Sequence, residues 1–186
     1  MTTGRRAWVE AVVAALDAER DLVVASLGAN ARYLPHMTVP CPVFALCDSM
    51  GAAVPLALGV ALQRPDRHVV ALEGDGSLLM SPNVLATVAA AAPPNLTLLL
   101  WVNGRYESSG GQVLPPVTVD WAGLARAAGL RHVTTVGDPA ALREAFAAAR
   151  GAGSPAAIVV EIAFDPREAI PPYSERPDEI RARFRL

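Results

Sequence analysis

The sequence predicts an α/β protein, a three-layer α/β/α sandwich around a mainly parallel sheet of about six strands. Three observations carry that expectation. Apolar runs of strand length alternate with Ala-rich segments of helical spacing along the chain. The runs are apolar nearly throughout, Leu96–Val102 most of all, as buried strands of a covered sheet are. Two of them end in polar, Gly-rich turns: Gly74-Asp75-Gly76-Ser77 follows His68–Leu72, and the segment Asn103 to Gln112 follows Leu96–Val102. The stretch between these turns, Pro82–Ala92, fits a crossover helix, so the two strands are parallel. In open parallel sheets ligands bind beyond the carboxyl ends of the strands.

The elements follow in order. Arg5–Asp17 carries Trp8, Val12, Val13 and Leu16 at helical spacing and reads as an amphipathic first helix. Asp21–Leu27 is a buried strand, and Gly28-Ala29-Asn30 turns at its carboxyl end. A Pro-rich loop holding Tyr33, His36 and Met37 leads to a short strand, Val43–Cys47, and the turn Asp48-Ser49-Met50-Gly51. The helix Ala52–Gln63 has few polar positions and is expected to be buried, with Pro55 in its first turn. His68 opens the next strand and is expected to face solvent. After Gln112 comes a loop with Pro115-Pro116. Asp120 is the N-cap of a helix to Ala128, which Gly129 ends. Arg131–Val136 is a strand, Asp138-Pro139 starts a helix through Arg150, and Ala156–Ala163 is the last strand. Residues 1–164 form one domain. The tail, 165–186, is a Pro-rich loop with a short charged helix, Pro177–Phe184, packed on its own domain or on a partner.

Composition narrows the function. Of the 186 residues 52% are hydrophobic and 18% charged, enough for one sizeable core. A net charge of −2 with no basic stripe argues against a nucleic-acid partner. No apolar run reaches the roughly 18 residues of a membrane span. Glu10 and Asp17 interrupt any secretory leader core, so a cytoplasmic chain is expected. Cys41 and Cys47 lack metal-type spacing and read as buried or half-buried thiols.

The two Gly-rich turns carry the chemistry. Asp75 offers a carboxylate and Asn103 an amide oxygen, hard ligands suited to Mg2+ or Ca2+. Gly74 and Gly76 allow close approach of a ligand to backbone, and the N–H groups after Gly76 lie at a helix start, which attracts phosphate. Either turn alone is an ordinary turn. Together, at the ends of adjacent strands and 28 positions apart, they describe a metal-bridged diphosphate site.

This pair resembles the Gly-Asp-Gly to Asn signature of thiamine diphosphate enzymes. The resemblance implies the thiamine diphosphate-binding fold and an Mg2+ held by Asp75, Asn103 and the carbonyl of Arg105. Val102 stands where the family often has a first Asn, and the Asp-to-Asn spacing is about one residue longer than is commonest. Met50, 25 positions before Asp75, sits where the family has an apolar residue wedged between the cofactor's two rings; on residue type alone it is equally a core filler. The resemblance extends the cofactor contacts to Gly28, Asn30, Ser49, Gly74, Gly76, Ser77 and Tyr106. Asn30 is otherwise a helix cap.

The resemblance covers nearly the whole chain and implies that half an active site is missing. The activating glutamate of these enzymes lies on a pyrimidine-binding domain, for which 186 residues leave no room. A separate subunit should supply it, in a dimer of heterodimers or a larger hetero-oligomer. The run Glu107-Ser108-Ser109-Gly110-Gly111-Gln112, and the tail, resemble the group containing phosphonopyruvate decarboxylase and the sulfopyruvate decarboxylase beta subunit. That implies decarboxylation of a small, acidic, 3-substituted 2-oxo acid, with Arg105 or the N–H groups of 108–111 facing its anion. Glu107 is a candidate catalytic carboxylate; the alternative for 107–112 is a loop that covers the cofactor. Two rivals stay open, half of a thiamine diphosphate-dependent carboligase and a non-catalytic subunit keeping the fold.

Overall fold

Six strands make one parallel sheet in the computed structural model, which describes residues 4–115 and 118–184. They are β1 (Asp21–Ala25), β2 (Val43–Ala45), β3 (His68–Gly74), β4 (Leu96–Val102), β7 (His132–Val136) and β8 (Ala156–Glu161); β5 (Arg105–Tyr106) and β6 (Gln112–Val113) pair separately as a small antiparallel hairpin. The sheet order is β2-β1-β3-β4-β8-β7, with every pair parallel. The chain steps outward from β1 to β2, then crosses back to β3 on the other side. The order therefore reverses between β1 and β3, and a crevice opens at their carboxyl ends.

Both faces of the sheet are covered, which is why its strands carry no polar alternation. On one face α1 (Arg5–Ala15) and α7 (Leu142–Gly151) pack Trp8, Val12, Leu142 and Phe146 against Val70, Leu99 and Ile158. The short α2 (Ala29–Tyr33) and the terminal α8 (Pro177–Arg183) add Ala31 and Ile180 to that layer. On the other face α3 (Ala53–Gln63), α5 (Val84–Ala91) and α6 (Trp121–Ala127) pack Ala57, Leu85 and Trp121 against Leu22, Ala71 and Leu98. Burying one such side chain stabilises the fold by about 1.5–3 kcal/mol. Phe146, wholly buried, would cost about 3–5 kcal/mol if cut to Ala.

Asp120 and Asp138 cap as expected, accepting the N–H of Gly123 (2.8 Å) and Ala140 (2.9 Å). Cys41 is buried and Cys47 half-buried, both as free thiols. Several boundaries move. A single turn, α4 (Asp75–Leu78), follows β3, so the crossover helix starts at Val84 rather than Pro82. The segment from Asp138 divides into a 3-10 turn, Pro139–Ala141, and α7. The strand predicted to Leu27 stops at Ala25. His68 does not face solvent: it is 9% exposed, with Nε2 2.9 Å from Thr97 Oγ1. The reason is its register, opposite the buried Asp21 in the middle of the sheet. Pro116 of the expected Pro115-Pro116 loop, and the chain ends 1–3 and 185–186, lie outside the described residues.

The tail packs on its own domain. The Glu168 carboxylate accepts the Tyr33 hydroxyl at 2.7 Å, and the Arg32 guanidinium donates to the carbonyls of Ile170 and Pro171. The Tyr173 oxygen accepts the Gly28 N–H at 2.9 Å. Further on, Phe184 meets Phe44 edge to face, with ring centroids 5.4 Å apart.

Candidate active site

Three turns converge because their strands are neighbours: Ser26–Asn30 after β1, Gly74–Ser77 after β3 and Asn103–Glu107 after β4. Asp75, 2% exposed, stitches the last two together. Its Oδ2 accepts the N–H groups of Asn103 (3.0 Å) and Gly104 (2.7 Å), and its Oδ1 that of Gly76 (2.8 Å). Burial pushes this carboxyl up, against the three N–H groups that favour the ion. The Gly76 N–H is thus engaged by Asp75.

Asn103 is held at both ends. Its Oδ1 accepts the Arg105 N–H (2.9 Å) and its Nδ2 donates to Glu107 Oε2 (3.1 Å). The Gly104 carbonyl accepts from Leu114 across the hairpin, so by antiparallel alternation the next carbonyl, of Arg105, points the other way. It lies 3.2 Å from where a Cβ of residue 76 would sit. Tyr106 lies closer still, 2.8 Å from the same point, so only glycine fits at 76. The Arg105 side chain leaves this group: Nη1 donates to the Gly111 carbonyl (2.9 Å) and the guanidinium stacks on Phe164, 4.6 Å from the ring centroid.

Between the turns lies a small, half-open cleft. Gly28, Asn30 and Met50 line it, as do Gly74, Ser77 and Tyr106. Gly28 has φ +84°, and its Cβ position is 3.0 Å from Ser108 Cβ. Asn30 Nδ2 donates to Ser26 Oγ at 2.9 Å rather than capping a helix. Met50 is half-buried on a turn that Ser49 (φ +67°) and Gly51 (φ +78°) bend sharply, and the Gly51 N–H is fixed by Ser77 Oγ at 2.8 Å. Ser49 itself is exposed, outside the cleft lining, and donates to Asp48.

Sequence reasoning missed Arg5, Ser26, Glu73 and Trp101. Arg5 is 4% exposed and grips Glu107. A signal for it existed: Arg5 falls in step with Trp8 and Val12 on the apolar stripe of the first helix, where a charge requires a partner. Glu73 is wholly buried. Its Oε1 accepts the Gly74 N–H (3.0 Å), while Oε2 has no partner in hydrogen-bond geometry. Burial pushes its carboxyl up, opposed by the Ser77 and Ser26 hydroxyls and the Gly74 and Val54 N–H groups. Trp101 Nε1, at the cleft, is likewise buried without a partner. Gly74 is odd in another way. Its backbone is extended (φ −98°), and an added Cβ would meet nothing within 4 Å. Neither conformation nor packing inside the chain calls for glycine there; the space beside it is the cleft.

The model of the thiamine pyrophosphate enzymes' C-terminal TPP binding domain matches residues 27–160, most of the chain and all three turns. The chain belongs to this family. As a TPP-binding domain it takes thiamine diphosphate (ThDP) as its cofactor. It is similar to phosphonopyruvate decarboxylase of Streptomyces hygroscopicus, 38% identical over 88% of this chain and 40% of that protein. It is similar to the sulfopyruvate decarboxylase subunit beta of Methanothermobacter thermautotrophicus, 35% identical over 64% of each. Among solved structures, a Mycobacterium smegmatis protein assigned as thiamin diphosphate-dependent superposes with a TM-score of 0.72 at 26% identity, over 87% of this chain and 32% of that one. The chain spans about 40% of the length of the curated phosphonopyruvate decarboxylases it matches.

The site fits a ThDP diphosphate with its cation. Among the described residues no cluster of three or more His, Cys, Asp or Glu side chains could hold a metal alone. What is present is one carboxylate, one amide oxygen and one carbonyl, a hard and incomplete oxygen set. Mg2+ typically takes its remaining ligands from phosphates and water. No described helix is long and apolar enough to cross a membrane.

Proposed function

We propose that this chain is the diphosphate-binding subunit of a two-subunit, ThDP-dependent 2-oxo acid decarboxylase acting on an acidic 3-substituted pyruvate of the sulfopyruvate or phosphonopyruvate type. Asp75, Asn103 and the Arg105 carbonyl hold an Mg2+ that anchors the cofactor diphosphate. Gly28, Gly74 and Gly76 keep backbone close to it, Asn30, Ser77 and Tyr106 complete the wall, and Ser49 shapes the Met50 turn. Met50 is the wedge between the cofactor rings. The bound cofactor supplies the electron sink for decarboxylation. The protein positions it and excludes water.

The single observation that carries this reading is that Asp75 ties the Asn103 turn to Gly76 through backbone N–H groups, with the Arg105 carbonyl against Gly76, beside a glycine at 74 that the chain itself does not need. The relatives named above support the reaction class. The activating glutamate comes from a pyrimidine-binding partner subunit in a hetero-oligomer. The cofactor lies between the two, and the assembly is cytoplasmic. Residues 1–164 are the functional unit, with 165–186 as its strap.

Co-purification tests this. The chain should bring down a partner of similar mass, and the pair should convert a labelled 3-sulfo- or 3-phosphono-2-oxo acid to the aldehyde in the presence of Mg2+ and ThDP. A product with a new carbon–carbon bond would instead assign a carboligase. A pair that binds ThDP and turns over neither acid would end the decarboxylase reading.

A further inference from the structure

Arg5 opens α1 on its buried face, 102 positions from Glu107. Its guanidinium nevertheless forks onto that carboxylate, Nη1 to Oε1 at 3.0 Å and Nη2 to Oε2 at 2.7 Å. The same Oε2 accepts the Asn103 amide hydrogen at 3.1 Å. An asparagine side chain has a donor end and an acceptor end of nearly equal shape, so its neighbours decide which end faces where. A carboxylate paired with arginine only accepts. It takes the NH2 end of Asn103 and leaves Oδ1 on the opposite side, where the Arg105 N–H occupies one lone pair at 2.9 Å and the second is left over. A hard cation binds only that oxygen end.

We propose that Arg5 is a positioning residue: acting through Glu107, it fixes the Asn103 amide with its oxygen toward the cation of the ThDP site. The inference rests on the cation role proposed for Asn103. The guanidinium is itself locked from behind, with Nη1 3.1 Å from Glu168 Oε2 and the other Glu168 oxygen on the Tyr33 hydroxyl. One arginine between two carboxylates leaves a net negative charge beside the site, so the relay orients a cation ligand without repelling the cation. Glu107 in this role touches Asn103 and Arg5 and has no part in the chemistry itself.

The same contacts have a second use, as a rivet between α1 and the tail, and the experiment separates the two. The chain, purified with whichever subunit co-purifies, is titrated with Mn2+ at saturating ThDP. Free Mn2+ is read by electron paramagnetic resonance. Glu107→Gln and Arg5→Met should each weaken Mn2+ binding by about 10–100-fold, as loss of an outer partner of a metal ligand does. Acting as one relay, they should be non-additive, the double variant lying within about twofold of the weaker single. Arg5→Lys, which keeps the charge and loses the fork, should fall between. Ile180→Ala, which loosens the tail at α8, away from the relay, should lower the melting temperature and leave Mn2+ affinity within about twofold. If Arg5→Met does not fold, Glu107→Gln, which keeps the side-chain shape, decides. A folded Glu107→Gln chain with wild-type Mn2+ affinity overturns the proposal. If Asp75→Ala also binds Mn2+ like wild type, the cation reading underneath has failed, and the relay falls with it.

Discussion

The two ends of the sheet bury polar groups in opposite ways. At the amino ends, Asp21 is wholly buried, yet its carboxylate takes the Arg150 guanidinium and the Asp17 N–H (2.7 Å), and its carbonyl takes Arg67 (2.9 Å). Nearby, Asn95 Nδ2 reaches the carbonyls of Ala61, Arg64 and Arg67. Around Asp21 and Asn95 that end is closed on itself; of its described side chains, only the Ser154 hydroxyl ahead of β8 is buried without a partner. At the carboxyl ends, Glu73 Oε2 and Trp101 Nε1 are left over, two of the three such buried side-chain atoms among the described residues. Buried polar atoms without partners are costly, and native proteins keep few of them. A closed network marks scaffold, and unused capacity beside a cleft marks where a ligand completes the structure.

Four changes break or sharpen that contrast. The largest effect belongs to Asp75→Ala, which should abolish cation-dependent ThDP binding, a loss beyond the ~10–100-fold typical of an outer partner. Equilibrium dialysis against ThDP with and without Mg2+ measures it, and retained affinity would refute the assignment. Next, Arg150→Met leaves Asp21 buried without its counter-charge and should cost about 3–5 kcal/mol of stability in urea titration. The folded fraction should bind ThDP as wild type does, because the damage lies at the closed end.

His68 gives a third test through pH. Burial holds its imidazole neutral and pulls its pKa down from 6.5 to about 4. The unfolded chain therefore takes up the proton first. Stability is complete above about pH 6.5, is lost as pH falls toward about 4, and is flat below; the loss is at most about 3 kcal/mol. His68→Gln should show a shallower decline of melting temperature between pH 7 and 4, and an equal slope would contradict this origin. The smallest effect is the most pointed. Gly74→Ala should stabilise the chain by about 0.4–1 kcal/mol, since an extended glycine with free space around its Cβ gives up unfolded-state entropy at no strain. The same methyl should weaken ThDP binding about tenfold, roughly 1.4 kcal/mol. Thermal melts and ThDP titration must move in opposite directions.

The fold was legible because parallel strands covered on both faces leave continuous apolar runs, and five of the six strands here are such runs, the edge strand β7 being largely exposed. Asp75 and Asn103 were legible as a pair because the strands that deliver them are consecutive in the chain and adjacent in the sheet. What could not be read was set by tertiary contact. The ion pair of Arg5 with Glu107 spans 102 positions. The β5–β6 hairpin has two residues per strand, too few for any period to appear. His68 looked like a polar strand end, and only its neighbour Asp21, from another strand, makes that position interior.

The tryptophans offer an optical consequence. Trp8 and Trp101 meet edge to face, with centroids 6.5 Å apart, and Trp101 reaches the cleft, whereas Trp121, the third and last, is buried on the opposite layer. Native emission therefore carries two separately placed signals, one able to sense a guest directly and one serving as an internal reference. Replacing Trp121 with Phe would turn the unlabelled polypeptide into a single-site fluorescent gauge of cofactor occupancy.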